Sequence, residues 1–171
     1  MNKSTIFIGG WHSPKFHGQG RRLTIMARPR SWEHGSGCVR QLTPKPSDLD
    51  EFKAGTLSLS DYKKRYEQHV HGDDGRVCVF SVENTWMFEL SPGQLTAVDD
   101  NDQGSLPFFV ADGDTLCCGC SRDASLKGEC HRAWAAEMLV EAGWNVVIEG
   151  TTFATFVEMS KSLQNPVGER K

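Results

Sequence analysis

The sequence predicts an α/β fold, a single Rossmann-like domain over residues 1–165 whose mainly parallel sheet is flanked by helices. Two observations carry that reading. Residues 112–150 switch between the strand and helix periods within one short span. Thr115-Leu116-Cys117-Cys118-Gly119-Cys120 is a run of small, apolar and thiol side chains, the pattern of a strand buried on both faces. Ala135, Met138, Leu139 and Ala142 then recur at spacings of three and four before Gly143, which marks an amphipathic helix with a glycine stop. Trp144-Asn145-Val146-Val147-Ile148 returns to a β-branched strand, bounded by Gly150. Two strands joined by one helix make a βαβ unit with parallel strands. The second observation is composition: 171 residues, 38% hydrophobic and 24% charged, suffice for one ordinary buried core.

In chain order, Thr5-Ile6-Phe7-Ile8 closed by Gly9-Gly10 predicts a first strand. Residues 11–22 form a loop rich in chemistry, with His12, His17, two aromatic residues and the basic pair Arg21-Arg22. Residues 23–27 predict a second strand that runs into Arg28-Pro29-Arg30-Ser31-Trp32. Pro29 fixes its own φ and pushes Arg28 towards extended backbone, so two guanidinium groups sit on a stiff segment at a strand end. Guanidinium groups grip phosphate or carboxylate in bidentate fashion, and Trp32 offers a stacking face.

Residues 47–53 open with a capping serine and an acidic first turn and predict a short helix ending at Gly55. The segment Leu57-Ser58-Leu59-Ser60-Asp61 supplies the cap of a second helix in which Tyr62, Tyr66, His69 and Val70 share one face, with Gly72 as its stop. The run Val77-Cys78-Val79-Phe80-Ser81-Val82 has strand character, whereas residues 86–90 fit a buried strand or a buried helix equally. Phe153, Phe156, Val157 and Met159 predict a final helix over residues 152–163, and residues 166–171 read as a frayed tail.

In open parallel sheets ligands lie beyond the carboxyl ends of the strands, where helix N-termini present free N–H groups. The residues expected there are Cys120, Ser121, Arg122, Cys130, His131 and Arg132. At the start of a helix, Cys130 is expected to have a lowered thiol pKa and His131 to act as an anion contact or general acid. Cys120, Cys130 and His131 are therefore the candidate catalytic residues. Arg28, Arg30, Trp32, Ser121, Arg122 and Arg132 are the candidate ligand contacts, and Tyr66 joins them if its helix faces the crevice.

Four of the six cysteines (Cys38, Cys78, Cys117, Cys118, Cys120 and Cys130) crowd around one loop, and the N-terminus lacks the pattern of a signal peptide. Reduced thiols in a cytoplasmic protein are the expectation. Strand alternation sends Cys117 away from Cys118 and Cys120. Cys118-Gly119-Cys120 followed by Cys130-His131 resembles the ligand inventory of a zinc site, but no metal is expected, because Cys130 and His131 are adjacent and their side chains diverge on entering a helix. No cofactor is implied, and no pattern specifies an oligomeric state. A formal charge of −3 gives no global footprint for nucleic acid or for a membrane surface, and no run is long enough to span a bilayer.

The segments Cys117-Cys118-Gly119-Cys120-Ser121-Arg122, Gly128-Glu129-Cys130-His131-Arg132 and Ala142-Gly143-Trp144-Asn145-Val146-Val147 resemble DUF488, a family of uncharacterised bacterial and phage proteins. Residues 24–30 and the helix bearing Tyr62 and Tyr66 are also similar to it. The resemblance implies a Rossmann-like sheet and no settled reaction. The expectation for function is a small phosphate-bearing or nucleotide-like ligand at the strand ends, with action on a nucleoside glycosidic bond as the enzymatic form. The alternatives are a phage or host module that sequesters a small nucleotide, and a nucleic-acid module using Lys15, Arg21, Arg22, Arg28 and Arg30.

Overall fold

The computed structural model describes residues 3–75, 81–82, 85–86, 89–99 and 106–165. In chain order its elements are β1 (Thr5–Gly10), β2 (Arg22–Thr24), α1 (Pro46–Lys53), α2 (Leu59–His71), β3 (Ser81–Val82), β4 (Thr85–Trp86), β5 (Thr96–Ala97), β6 (Phe108–Phe109), β7 (Thr115–Cys118), α3 (Arg122–Leu126), α4 (His131–Glu141), β8 (Asn145–Ile148), β9 (Thr151–Thr152) and α5 (Phe153–Gln164). The main sheet has the order β2-β7-β1-β8-β9. Its first four strands are parallel, and β9 closes the edge as an antiparallel strand. The result is an α/β domain with a mostly parallel sheet and several flanking helices.

The predicted βαβ unit is β7-α4-β8, but its two strands are not neighbours, because β1 lies between them and pairs with both. That central position explains why Ile6 and Ile8 are fully buried, alongside Leu116, Leu23 and Ile148 on the adjoining strands. Each such side chain contributes about 1.5–3 kcal/mol by leaving water, and truncating Leu116 to alanine would cost about 2–5 kcal/mol. Strand β2 is shorter than the predicted 23–27. The Ile25 N–H still reaches Cys117 O at 3.1 Å, but the Met26 N–H turns onto Thr24 Oγ1 at 3.2 Å and the chain leaves the sheet.

Helix α2 begins where Ser58 Oγ accepts from the Asp61 N–H at 3.1 Å, and it ends on Gly72 in the left-handed region (φ 76°). It packs on α4 through Tyr62 and Tyr66, whose rings lie 5.3 and 5.7 Å from Trp134. Between Cys120 and His131 the sequence suggested only a loop, and α3 occupies part of it. The predicted strand of residues 77–82 lies mostly outside the described residues, although β3 pairs with β4 as an antiparallel hairpin. The tail of residues 166–171 also lies outside them. No helix among the described residues is long and apolar enough to cross a membrane.

Candidate functional site

Beyond the carboxyl ends of β1, β2 and β7 lies a crevice of about 410 Å³. The parallel pairing of β2 with β7 (Leu23 opposite Leu116, Thr24 opposite Cys117) puts the segments that follow both strands at the same edge. Each element then contributes residues in a way the sequence makes understandable. After β1 the chain supplies His12, after β2 it supplies Met26, Arg28, Arg30 and Glu33, and after β7 it supplies Gly119 and Cys120. His131 enters from the start of α4, and Leu49 and Lys53 enter from α1.

The charged groups are unequally committed. Arg28 makes a two-point ion pair with Asp50, with Nη2 donating to Oδ2 at 2.8 Å, and both side chains are more than half exposed. Arg30 is 77% exposed and only loosely held by Glu33 at 3.9 Å. Glu33 itself is buried, and its Oε2 accepts from the Arg30 backbone N–H at 3.1 Å. It is the only carboxylate among the described residues lining the crevice. Trp32 is half exposed and lies 5.4 Å from the ring of His12, beside the crevice mouth.

At the floor, three sulfurs converge. Cys118 Sγ lies 3.8 Å from Cys120 Sγ and 3.6 Å from Cys130 Sγ, and the ligand atoms of the three residues all lie within 4.8 Å of one another. Cys117 points to the other face, 3.9 Å from His17 Nε2, as strand alternation predicted. Sulfur hydrogen bonds with Cys120 and then Cys130 hold the Cys118 thiol below the usual thiol range despite burial. This corrects the expectation for Cys130, whose pKa is raised well above that range by the same bond to Cys118, then by Cys120 and burial. The exposed Cys120 thiol is also raised, chiefly by its bond to Cys118.

His131 Nε2 donates to Ile25 O at 2.7 Å and lies 4.0 Å from Cys118 Sγ. Burial lowers its pKa against the opposing effect of that hydrogen bond, so at neutral pH it is a neutral ring with its Nε2 proton already placed. The expected divergence of Cys130 and His131 does not occur: both approach Cys118, because Cys130 is the cap residue and still has extended backbone (φ −117°, ψ 133°).

Arg132 is not an anion contact. It is fully buried, pairs with Glu149 at 2.6 Å, and donates from Nη1 to Cys120 O at 3.0 Å and from Nη2 to Ser121 O at 2.8 Å. It braces the loop after β7 from behind. Ser121 caps α3, accepting from the Ala124 N–H at 3.1 Å, and the exposed Arg122 begins that helix outside the crevice lining. Tyr66 belongs to the core, 1% exposed, with its hydroxyl donating to Leu42 O at 2.7 Å.

The structure thus gathers Arg28, Arg30, Cys120 and His131, sets Trp32 beside them, and leaves Ser121, Arg122, Arg132 and Tyr66 elsewhere. Sequence reasoning missed Glu33, Lys53 and the central place of Cys118. The signal for Cys118 was present, since a Cys-x-Cys pair at a strand end shares one face. Compared with known protein families, curated proteins and solved structures, the chain matches none.

Proposed function

We propose that the crevice binds a small phosphate-bearing, nucleotide-like ligand. The observation that carries the reading is the concentration of Arg28, Arg30 and Lys53 around a crevice of about 410 Å³ at the strand ends, opposed by the single buried carboxylate of Glu33. That volume falls within the roughly 300–1,000 Å³ typical of small-molecule sites. Exposed guanidinium groups suit phosphate oxygens, and the half-exposed Trp32 would stack on a base or other ring. Asp50 is the internal competitor for Arg28, so an anion must displace it or bind around it.

Binding without turnover is the form we favour. Glycoside hydrolysis ordinarily enlists two carboxylates, and the described lining offers Glu33 alone. Cys120 carries a raised thiol pKa, and the neutral His131 has its Nε2 proton committed to Ile25 O, so neither is prepared as nucleophile or acid. The sequestering role is therefore better supported than glycosidic cleavage. Kinship with DUF488, on the Cys130-His131-Arg132 segment, stands as part of the same proposal.

The test is calorimetric titration of nucleoside mono- and diphosphates and nucleotide sugars into wild type, Arg28→Ala, Arg30→Ala, Lys53→Ala and Arg122→Ala. A charge-assisted contact contributes about 1.5–3 kcal/mol, so each of the first three variants should bind roughly tenfold to a hundredfold more weakly. Arg122→Ala should bind as wild type does. No binding by wild type, or equal affinities across the variants, would remove the reading.

A further inference from the structure

We propose that Cys118, Cys120 and Cys130 form a zinc site in which three thiolates hold the metal and the fourth coordination position opens onto the crevice. Two of the three sulfur separations are those such a site needs, and the third falls inside 4.8 Å. Zinc–sulfur bonds of about 2.3 Å at tetrahedral angles set neighbouring sulfurs about 3.8 Å apart. Cys118 Sγ stands 3.8 Å from Cys120 Sγ and 3.6 Å from Cys130 Sγ, with all three sulfurs inside 4.8 Å of one another. They outline one face of a coordination tetrahedron.

The chain is built to hold that face. Cys118 and Cys120 are two residues apart at a strand end and so share a side. Gly119 between them lies against Met26, where a Cβ would come within 2.7 Å of the methionine methyl. Cys130 arrives as the cap residue of α4, and the buried Arg132 fixes the loop bearing Cys120 through that residue's own carbonyl. Two of the thiols are buried, and the third, Cys120, is exposed on the crevice side.

The fourth position is not filled by His131. Its Nε2 lies 4.0 Å from Cys118 Sγ but donates its proton to Ile25 O at 2.7 Å, and one ring nitrogen cannot both donate a proton and give its lone pair to a metal. Cys118 and Cys120 both line the crevice, so the remaining vertex is assigned to that side, where water or an anionic ligand can reach it. Three protein ligands with an open position let a bound molecule reach the metal, in contrast to closed structural sites. The sequence argument against zinc assumed that both Cys130 and His131 must be ligands, and this geometry requires only the cysteine. Binding sends the thiol protons to solvent, with no change in oxidation state. The site stands apart from the phosphate reading, since its test uses the metal alone.

The reduced full chain is titrated with zinc against a chromogenic chelator, with metal content read by elemental analysis and ligand type by X-ray absorption. The expected result is one zinc per chain, bound by three sulfurs at about 2.3 Å and one lighter donor. Cys118→Ser, Cys120→Ser and Cys130→Ser should each weaken binding beyond the roughly 10–100-fold that loss of an outer-shell partner costs. Cys117→Ser should keep wild-type affinity. The absorption spectrum of wild type reads the sulfur count without any variant, so a serine variant that misfolds does not protect the proposal. Reduced wild type without stoichiometric zinc, or zinc retained when all three cysteines are replaced, overturns the site. A fourth donor that is nitrogen and is lost in His131→Gln overturns the open position.

Discussion

Tyr66 and Arg132 show how one side chain supports two readings until its partners are known. Tyr66 lies on the apolar face of α2, and its hydroxyl donates to a buried carbonyl at 2.7 Å while its ring sits 5.6 Å from His131. Replacing it with phenylalanine leaves the Leu42 carbonyl without that donor, at a cost of about 1–3 kcal/mol in denaturant unfolding. Nucleotide affinity should not change, and a lost affinity at unchanged stability would return the hydroxyl to the site. A buried arginine in the first turn of a helix looks the same in sequence as one that grips an anion. What decides the case for Arg132 is Glu149, which follows β8 and is brought to it by the packing of α4 on that strand. No local pattern could announce that pair. Arg28 and Arg30 were legible because Pro29 constrains them at a strand end, whereas the ion pair of Arg28 with Asp50 depends on where α1 docks.

The strand-to-helix connections carry the chemistry, and the one after β7 was the least legible. Helix α3 has five residues, too few for a hydrophobic period to register, so its existence rests on its cap and on packing against α5. Ser121 was expected to contact a ligand and instead supplies that cap. Ser121→Ala should cost about 1 kcal/mol in thermal or denaturant unfolding and leave crevice affinity as it was. A selective loss of affinity would mean that the hydroxyl leaves the cap when a ligand arrives. The long helices were legible for the opposite reason. α2 and α5 each carry a side-chain cap and an apolar stripe, and α2 also has a glycine stop, so propensity, pattern and tertiary burial agree. Strand β1 was recognised as a strand, but its place between β7 and β8 was not, because sequence order does not fix order across a sheet.

Across the whole molecule, the main sheet and α4 bury a polar cluster beside an aromatic one, which couples the fold to pH at the alkaline end. Tyr62 and Tyr66 are the only tyrosines of the chain, and both are buried between α2 and α4. Burial is the largest cause that raises both pKa values, and the neighbouring thiols Cys118 and Cys130 push in the same direction. In the unfolded chain each phenol loses its proton near pH 10, about its ordinary value. The native state keeps both protons there, so above about pH 10 it binds more protons than the unfolded state, and stability must fall as pH rises. Each tyrosine adds a slope of about 1.4 kcal/mol per pH unit until its native pKa is reached. The expected result of an alkaline titration is that tyrosinate absorbance stays absent while the helical circular dichroism persists, then rises in the same step in which the helical signal is lost. Tyr66→Phe should remove half of the absorbance and one of the two slopes. A gradual tyrosinate signal centred near pH 10 in protein with intact helical signal would mean that solvent reaches the rings, and that the packing of α2 on α4 is looser than the Trp134 contacts require.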